Sequence, residues 1–409
     1  MRVRPSSGYD FQVAMRQHDP VAGYLQTIAG LAEPCDAAEA AIYVHFPFCR
    51  HLCTYCDFDT FAGIDHLIDS YVPALVRQIE TSPPVRASSL YIGGGTPSIM
   101  SPEQAGSLAS ICRKRFSLGR DAEATIEANP TDMVFDRMLG FRGAGFNRLS
   151  VGVQSANPRL LRLLGRRHSS EDAEAAIRTA RNAGFENISV DLIYGVPLQD
   201  HSMWRETLET AVRWEVDHLS CYMLTIEPGT ALERGVSRGT LQLPPEDNVV
   251  AMYDLACDFL SSVGYRHYEI SNWARPGRES AHNLTYWRNG LYLGIGAGAA
   301  GHWAGRRYKL LPNVRAFVEG AWAGRIPLCE DEVVNTRRSM SETLILGLRL
   351  EEGVSMDSYA RCFGASPDDV YGEALAWGEE AGLLRRDDGR LRLTERGVLL
   401  SNELFERLL

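Results

Sequence analysis

The 409-residue sequence predicts an α/β fold: an open, partial (β/α)6 barrel followed by a C-terminal winged-helix-like α+β domain. Three observations predict it. From Ile42 onward, short β-branched runs alternate with helical segments, as in a parallel sheet covered by helices. Each predicted strand ends in unusual chemistry, and parallel α/β folds collect function at the carboxyl ends of their strands. After about residue 335, helices give way to a hairpin and one more helix, the order of a winged helix.

Six strands are predicted, at 42–46, 89–92, 124–128, 147–153, 188–193 and 218–224. Helix-like stretches lie around 66–81, 102–115, 132–143, 158–164, 170–182 and 202–214. These βα units place the barrel over 42–235, behind a leader of residues 1–41 that is either docked or partly mobile. The alternation then weakens. A helix at 245–263 and a glycine- and aromatic-rich stretch at 265–308 make 236–334 an extension of the barrel. Within the last segment, 335–409, Asp388-Gly389 between apolar runs signals a hairpin, and Thr394 is suited to cap the final helix.

A formal net charge of −10 argues against general nucleic-acid binding and gives the winged-helix-like segment an accessory role. Nine cysteines, an odd number, form only one tight cluster, so a reducing cytoplasm is expected rather than a disulfide framework. No apolar run reaches the roughly 18 residues expected of an integral membrane span.

The tight cluster is Cys49, Cys53 and Cys56, a CxxxCxxC directly after the first strand. Three thiolates can hold three irons of a [4Fe–4S] cluster and leave the fourth open to the amino and carboxylate groups of S-adenosylmethionine (SAM). A structural zinc site typically needs a fourth ligand, often from a second CxxC, and none is present. The glycines 93–95 permit a tight turn or close approach of backbone to a ligand. Glu127 and Asp191 are strand-end acids suited to hydroxyl or ammonium partners, and Gln154 and Arg166 add an amide and a cation for a second carboxylate-bearing ligand. Arg166 reads equally well as part of a solvated helix face. In 282–287, His282, Asn283, Tyr286 and Trp287 gather an imidazole, an amide and two aromatics, which suits a flat ligand such as haem or a hydrogen-bonded core histidine. The glycines of 294–298 lack a complete dinucleotide fingerprint and read as a close-packed strand end.

Together, residues 43–49, the cysteine triplet, Gly93 to Pro97, 127–130, 147–154, 191–197 and 282–287 resemble the coproporphyrinogen-dehydrogenase-like radical-SAM family, and within it most of all the HemW-type haem chaperones. The resemblance runs from about residue 42 to the C-terminus. It implies a radical-SAM barrel in which Cys49, Cys53 and Cys56 hold the cluster, and Tyr43, Tyr55, Gly94, Glu127 and the Ala300 region contact SAM. Gly95, Thr96, Gln154, Arg166 and Asp191 match positions around a second SAM in coproporphyrinogen dehydrogenases. His282, Asn283, Tyr286 and Trp287 match the HNxxYW motif associated with haem. An electron donor such as flavodoxin or ferredoxin is implied, with haem or another small molecule as ligand.

Two departures stand out: Phe58 replaces a further cysteine of the dehydrogenases, and Ala300 occupies an expected histidine position, with His302 two places later. Three activities follow as expectations. The first is a haem-binding chaperone. The second is a two-SAM class C methyltransferase or cyclopropanase of secondary metabolism, and the third an oxygen-independent coproporphyrinogen III dehydrogenase.

Overall fold

The computed structural model describes residues 39–409, so the predicted leader lies outside the described residues except for its last three positions. Those three belong to the first strand. Strand β1 (Glu39–Phe46) is almost wholly buried, and its apolar residues pack on both faces, as a strand covered by helices on one side and a barrel interior on the other requires. It is followed by β2 (Arg86–Gly94), β3 (Glu123–Ala128), β4 (Arg148–Gln154), β5 (Ile188–Tyr194) and β6 (His218–Met223). All six are parallel and hydrogen-bonded in chain order.

Helices on the outer face separate the strands: α1 (Ile68–Thr81), α2 (Pro102–Arg115), α3 (Phe135–Gly143), α4 (Pro158–Leu163), α5 (Ser170–Asn182) and α6 (His201–Arg213). Their starts are written locally. Ser101 and Gln104 form a reciprocal capping box with Pro102 in the first turn, and Ser169 with Asp172 forms another. The helix expected from 132 begins at Phe135, because residues 130–132 take a tighter 3-10 turn capped by Asn129.

The barrel does not close on itself. Its six strands continue on both sides into one twelve-stranded sheet. Beyond β6 lie the antiparallel β7 (Arg266–Glu269) and β8 (Asn272–Ala274). Beyond β1 lies the parallel β9 (Leu291–Ile295), then the antiparallel β10 (Ala300–Trp303), β11 (Arg306–Leu310) and β12 (Leu328–Val333). The glycine- and aromatic-rich stretch thus supplies sheet edges and one short helix, α7 (Ala281–Trp287).

A second apolar core, running from Met340 to Leu408, belongs to the C-terminal unit. There α8 (Thr336–Gly347), α9 (Met356–Phe363) and α10 (Pro367–Glu380) pack on a three-stranded sheet of β13 (Val354–Ser355), β14 (Leu384–Asp387) and β15 (Arg390–Leu393). Asp388 and Gly389 both take positive φ at the hairpin tip, the geometry of a type I′ turn. The Thr394 hydroxyl accepts from the Gly397 N–H at 2.9 Å, and the final helix is split into Glu395–Leu399 and Ser401–Leu408. Among the described residues no helix is long and apolar enough to cross a membrane.

Candidate active site

At the carboxyl ends of β1 to β5 lies a cavity of about 500 Å³ whose wall includes Cys49, Cys53 and Cys56. The chain leaves β1, pairs Phe48 and Cys49 with Phe61 and Ala62, and loops between these two short segments, so the triplet sits on a strap fixed at both ends. The Thr54 hydroxyl donates to the Leu163 carbonyl at 2.7 Å, pinning the strap's middle to α4. Thr96 Oγ1 donates to Cys49 Sγ and Arg166 Nη1 to Cys53 Sγ, each at 3.4 Å. Burial pushes the Cys49 thiol up to about 11 and also raises Cys56. A buried thiol gains from becoming a metal-bound thiolate, and three thiols in one cavity are the soft donor set of an iron–sulfur cluster, so these residues fit one.

Glu127 faces the same space from the end of β3. Tyr91 Oη donates to its Oε1 at 2.8 Å and the Gly94 N–H donates to its Oε2 at 2.9 Å. Burial pushes this carboxyl up to about 7, against those two hydrogen bonds, and Asp191 adds to the rise. An arriving ammonium would restore its charge. The glycines beside it are dictated by space. Gly94 has φ +112°, and a Cβ there would lie 2.3 Å from the His45 ring; one on Gly95 would lie 2.5 Å from the Phe48 carbonyl. No side chain fits this bend at the end of β2, where it passes close to the end of β1.

Gln154 ends β4 at φ +75°, beside a register irregularity between β4 and β5. Of the non-glycine residues with positive φ among the described residues, Gln154 is the one that lines this cavity. Arg166 reaches in from beyond α4, donating to the Gly152 carbonyl, and its Nε is buried without a partner. Asp191 accepts from Ser150 Oγ at 3.0 Å, and burial raises its carboxyl against the Ser220 and Ser150 hydrogen bonds. An adjoining cavity of about 360 Å³ shares Tyr55, Glu127, Gln154 and Asp191 with the first and adds Arg148, Tyr222 and Asn283. The first cavity also takes in Gly94, Gly95 and Thr96.

Other expected residues stand apart. Tyr43 Oη is hydrogen-bonded to His45 Nδ1 at 2.8 Å and is absent from both cavity walls. Ala300 opens β10 and is likewise absent from the walls: β10 lies beyond β9, between it and β11, with Ala300 opposite Lys309. The HNxxYW segment is divided. Asn283 reaches the second cavity; His282 is 1% exposed and bonded at both ring nitrogens, to Ser89 Oγ and Tyr286 Oη; Trp287 lies under the Arg349 guanidinium of the C-terminal unit. Sequence reasoning missed Tyr91 and Arg148. Arg148 is 2% exposed, its Nε without a hydrogen bond and 3.9 Å from Glu123 Oε2, and its only sequence signal was an arginine at the start of an apolar strand.

The description "Radical SAM superfamily" matches residues 43–211, and "HemN C-terminal domain" matches residues 336–400. The heme chaperone HemW of Lactococcus lactis subsp. lactis (strain IL1403) is 36% identical over 367 residues, covering 90% of this chain and 96% of the relative. The chain belongs to the radical-SAM HemW family. A second relative, radical S-adenosyl methionine domain-containing protein 1, mitochondrial, of Danio rerio, is 33% identical, covering 94% of this chain and 90% of the relative. Among solved structures, coproporphyrinogen III oxidase (HemN) from Escherichia coli, described as a radical SAM enzyme, superposes with a TM-score of 0.81 at 24% identity. That alignment covers 93% of this chain and 92% of the other, and the likeness establishes a shared fold.

Proposed function

We propose that this chain holds a [4Fe–4S] cluster on Cys49, Cys53 and Cys56, binds SAM beside it, cleaves SAM reductively, and handles haem as a chaperone. The observation that carries the proposal is the meeting of three thiols, the Gly94 and Gly95 turn and the buried Glu127 in one cavity at the strand ends. Family membership extends it to haem, since relatives of near-equal length carry the name heme chaperone. When bound, a reduced cluster supplies the electron that breaks a carbon–sulfur bond of SAM.

The chain's own residues bind and orient. Glu127, with the Gly94 N–H fixing its second oxygen, presents a carboxylate to the SAM amino group. Tyr55 and Thr96 line the same cavity as the thiols, Thr96 donating to Cys49, and Asp191 offers an acceptor in its wall. Arg166 places positive charge against Cys53, its Nη1 3.4 Å from the sulfur. The reductant is a one-electron donor such as flavodoxin or ferredoxin, and unpaired thiols among the described residues suit a reducing cytoplasm.

His282 does not fit as the ligand of haem iron, because neither ring nitrogen is free and the ring is buried. A second function is favoured by one arrangement: Gly95, Thr96, Gln154, Arg166 and Asp191, which match positions around a second SAM in coproporphyrinogen dehydrogenases, surround the same cavity as Glu127 and leave room for a two-SAM alkylating reaction. Anaerobic incubation of the reconstituted, reduced protein with SAM, with and without haem, separates the two. Slow formation of 5′-deoxyadenosine alone with stoichiometric haem uptake supports the chaperone. Substrate-dependent formation of 5′-deoxyadenosine and S-adenosylhomocysteine together supports the alkylating enzyme. Full SAM cleavage in Cys49→Ala, Cys53→Ala and Cys56→Ala would sink both.

A further inference from the structure

The HNxxYW histidine sits inside the barrel, on the side away from solvent. Helix α7 is seated there by Glu123, whose carboxylate accepts the N–H groups of Ala281 and His282, each at 3.0 Å. His282 Nδ1 lies 2.8 Å from Ser89 Oγ and its Nε2 lies 2.8 Å from Tyr286 Oη. Burial and nearby Arg148 push the imidazole down to about 3, so it is neutral, with one N–H and one lone pair, and both are used. Its ring stacks on Tyr91 with centroids 5.0 Å apart and planes 29° apart. Tyr91 is two residues beyond Ser89 on β2, hence on the same face, and its hydroxyl donates to Glu127. Ligating iron would require His282 to abandon one bond and its stack, leaving a buried hydroxyl unpartnered.

We infer that His282 is a positioning residue for the SAM site and not the ligand of haem iron: held by Ser89 and Tyr286, it fixes the Tyr91 ring, and through Tyr91 the Glu127 carboxylate. Glu127 has two directional partners, Tyr91 and the Gly94 N–H, and only Tyr91 is a side chain whose ring could swing. The imidazole face blocks that swing. The inference rests on this cavity being the SAM site, so its test reads SAM affinity and haem uptake separately.

The full chain, anaerobically reconstituted, is compared with His282→Ala, His282→Gln, Tyr91→Phe and the double variant His282→Ala/Tyr91→Phe. SAM affinity is measured by equilibrium dialysis, haem uptake by titration of the Soret band, and folding by circular dichroism. His282→Ala keeps the wild-type haem stoichiometry and Soret maximum while SAM affinity falls about tenfold. Tyr91→Phe gives a similar fall, and the double variant falls no further than the single ones, because both act on the same carboxylate. His282→Gln, whose amide offers a donor and an acceptor, recovers most of the affinity. Should the alanine variant not fold, His282→Gln and Tyr91→Phe decide alone. Lost haem or a displaced Soret band in His282→Gln, with SAM affinity unchanged, would overturn the inference, as would additive losses in the double variant. Wild-type SAM affinity in Glu127→Gln would instead remove the SAM site itself, and the inference with it.

Discussion

At the scale of single residues, burial against hydrogen bonding decides the chemistry. Glu127→Gln removes the charge proposed to meet the SAM amino group, and its SAM affinity should fall about ten- to hundredfold by equilibrium dialysis. Unchanged affinity would place SAM elsewhere. Glu269 shows the same physics away from the cavity: it is 1% exposed, and burial pushes its carboxyl from the ordinary 4.5 up to about 7 despite hydrogen bonds from Ser271 and Asn272 and the charge of Arg349. Between those two values the unfolded carboxyl is ionised while the folded one keeps its proton, so the unfolded state binds fewer protons and stability falls as pH rises through the window. The loss is on the order of 3 kcal/mol when complete. Thermal melts of Glu269→Gln at pH 5 and pH 8 should show a smaller drop than the wild type; equal drops would assign the effect to other groups. The residue types of the site were legible as strand-end acids, glycines and thiols. His282 was not, because an imidazole beside aromatics reads alike as ligand or core, and only its partner Ser89, 193 residues away in sequence, separates the two.

Elements were the most legible scale, since caps and breakers act locally. Ser101 with Gln104, Ser169 with Asp172 and Thr394 each fixed a helix start. The Gly93-to-Gly95 turn shows the limit: the sequence permits a sharp bend there, but the demand for it comes from the His45 ring and the Phe48 carbonyl. Gly94→Ala would force a Cβ into that ring at positive φ, at a cost of about 1–3 kcal/mol, and displace the N–H that holds Glu127. A lower urea midpoint together with weakened SAM binding is expected. A midpoint shift with SAM affinity intact would mean that the turn matters for folding alone. Ser101→Ala, at a position that lines neither cavity, should cost about 1 kcal/mol in the same urea titration and leave SAM affinity unchanged.

For the whole molecule, the HNxxYW helix is a joint. Its His282 end faces the barrel, and its Trp287 end lies beneath Arg349, 4.5 Å from ring centroid to guanidinium. Nearby, Arg288 pairs with Glu352 at 3.1 Å, Asn289 donates to Thr343 at 3.0 Å, and Arg307 pairs with Glu342 at 2.8 Å. The Ile270 and Glu351 N–H groups bond across the junction at 3.2 and 3.1 Å. Trp287→Ala should therefore loosen the seating of the C-terminal unit, seen as faster amide exchange in 336–347 with the exchange of β1 to β6 unchanged. No change in 336–347 would show that the ion pairs and backbone bonds suffice.

The sequence by itself determined the alternation of strand and helix, the helix starts, the hairpin at Asp388-Gly389 and the thiol triplet, because each depends on neighbours within a few residues of chain. Only the tertiary structure decided that Gln154, Arg166 and Asp191 share a cavity with Glu127, that Ala300 stays off the cavity walls, and that His282 spends both nitrogens inside the barrel. Those outcomes depend on sheet register and on contacts between distant segments, where burial and hydrogen-bond supply assign a side chain its work.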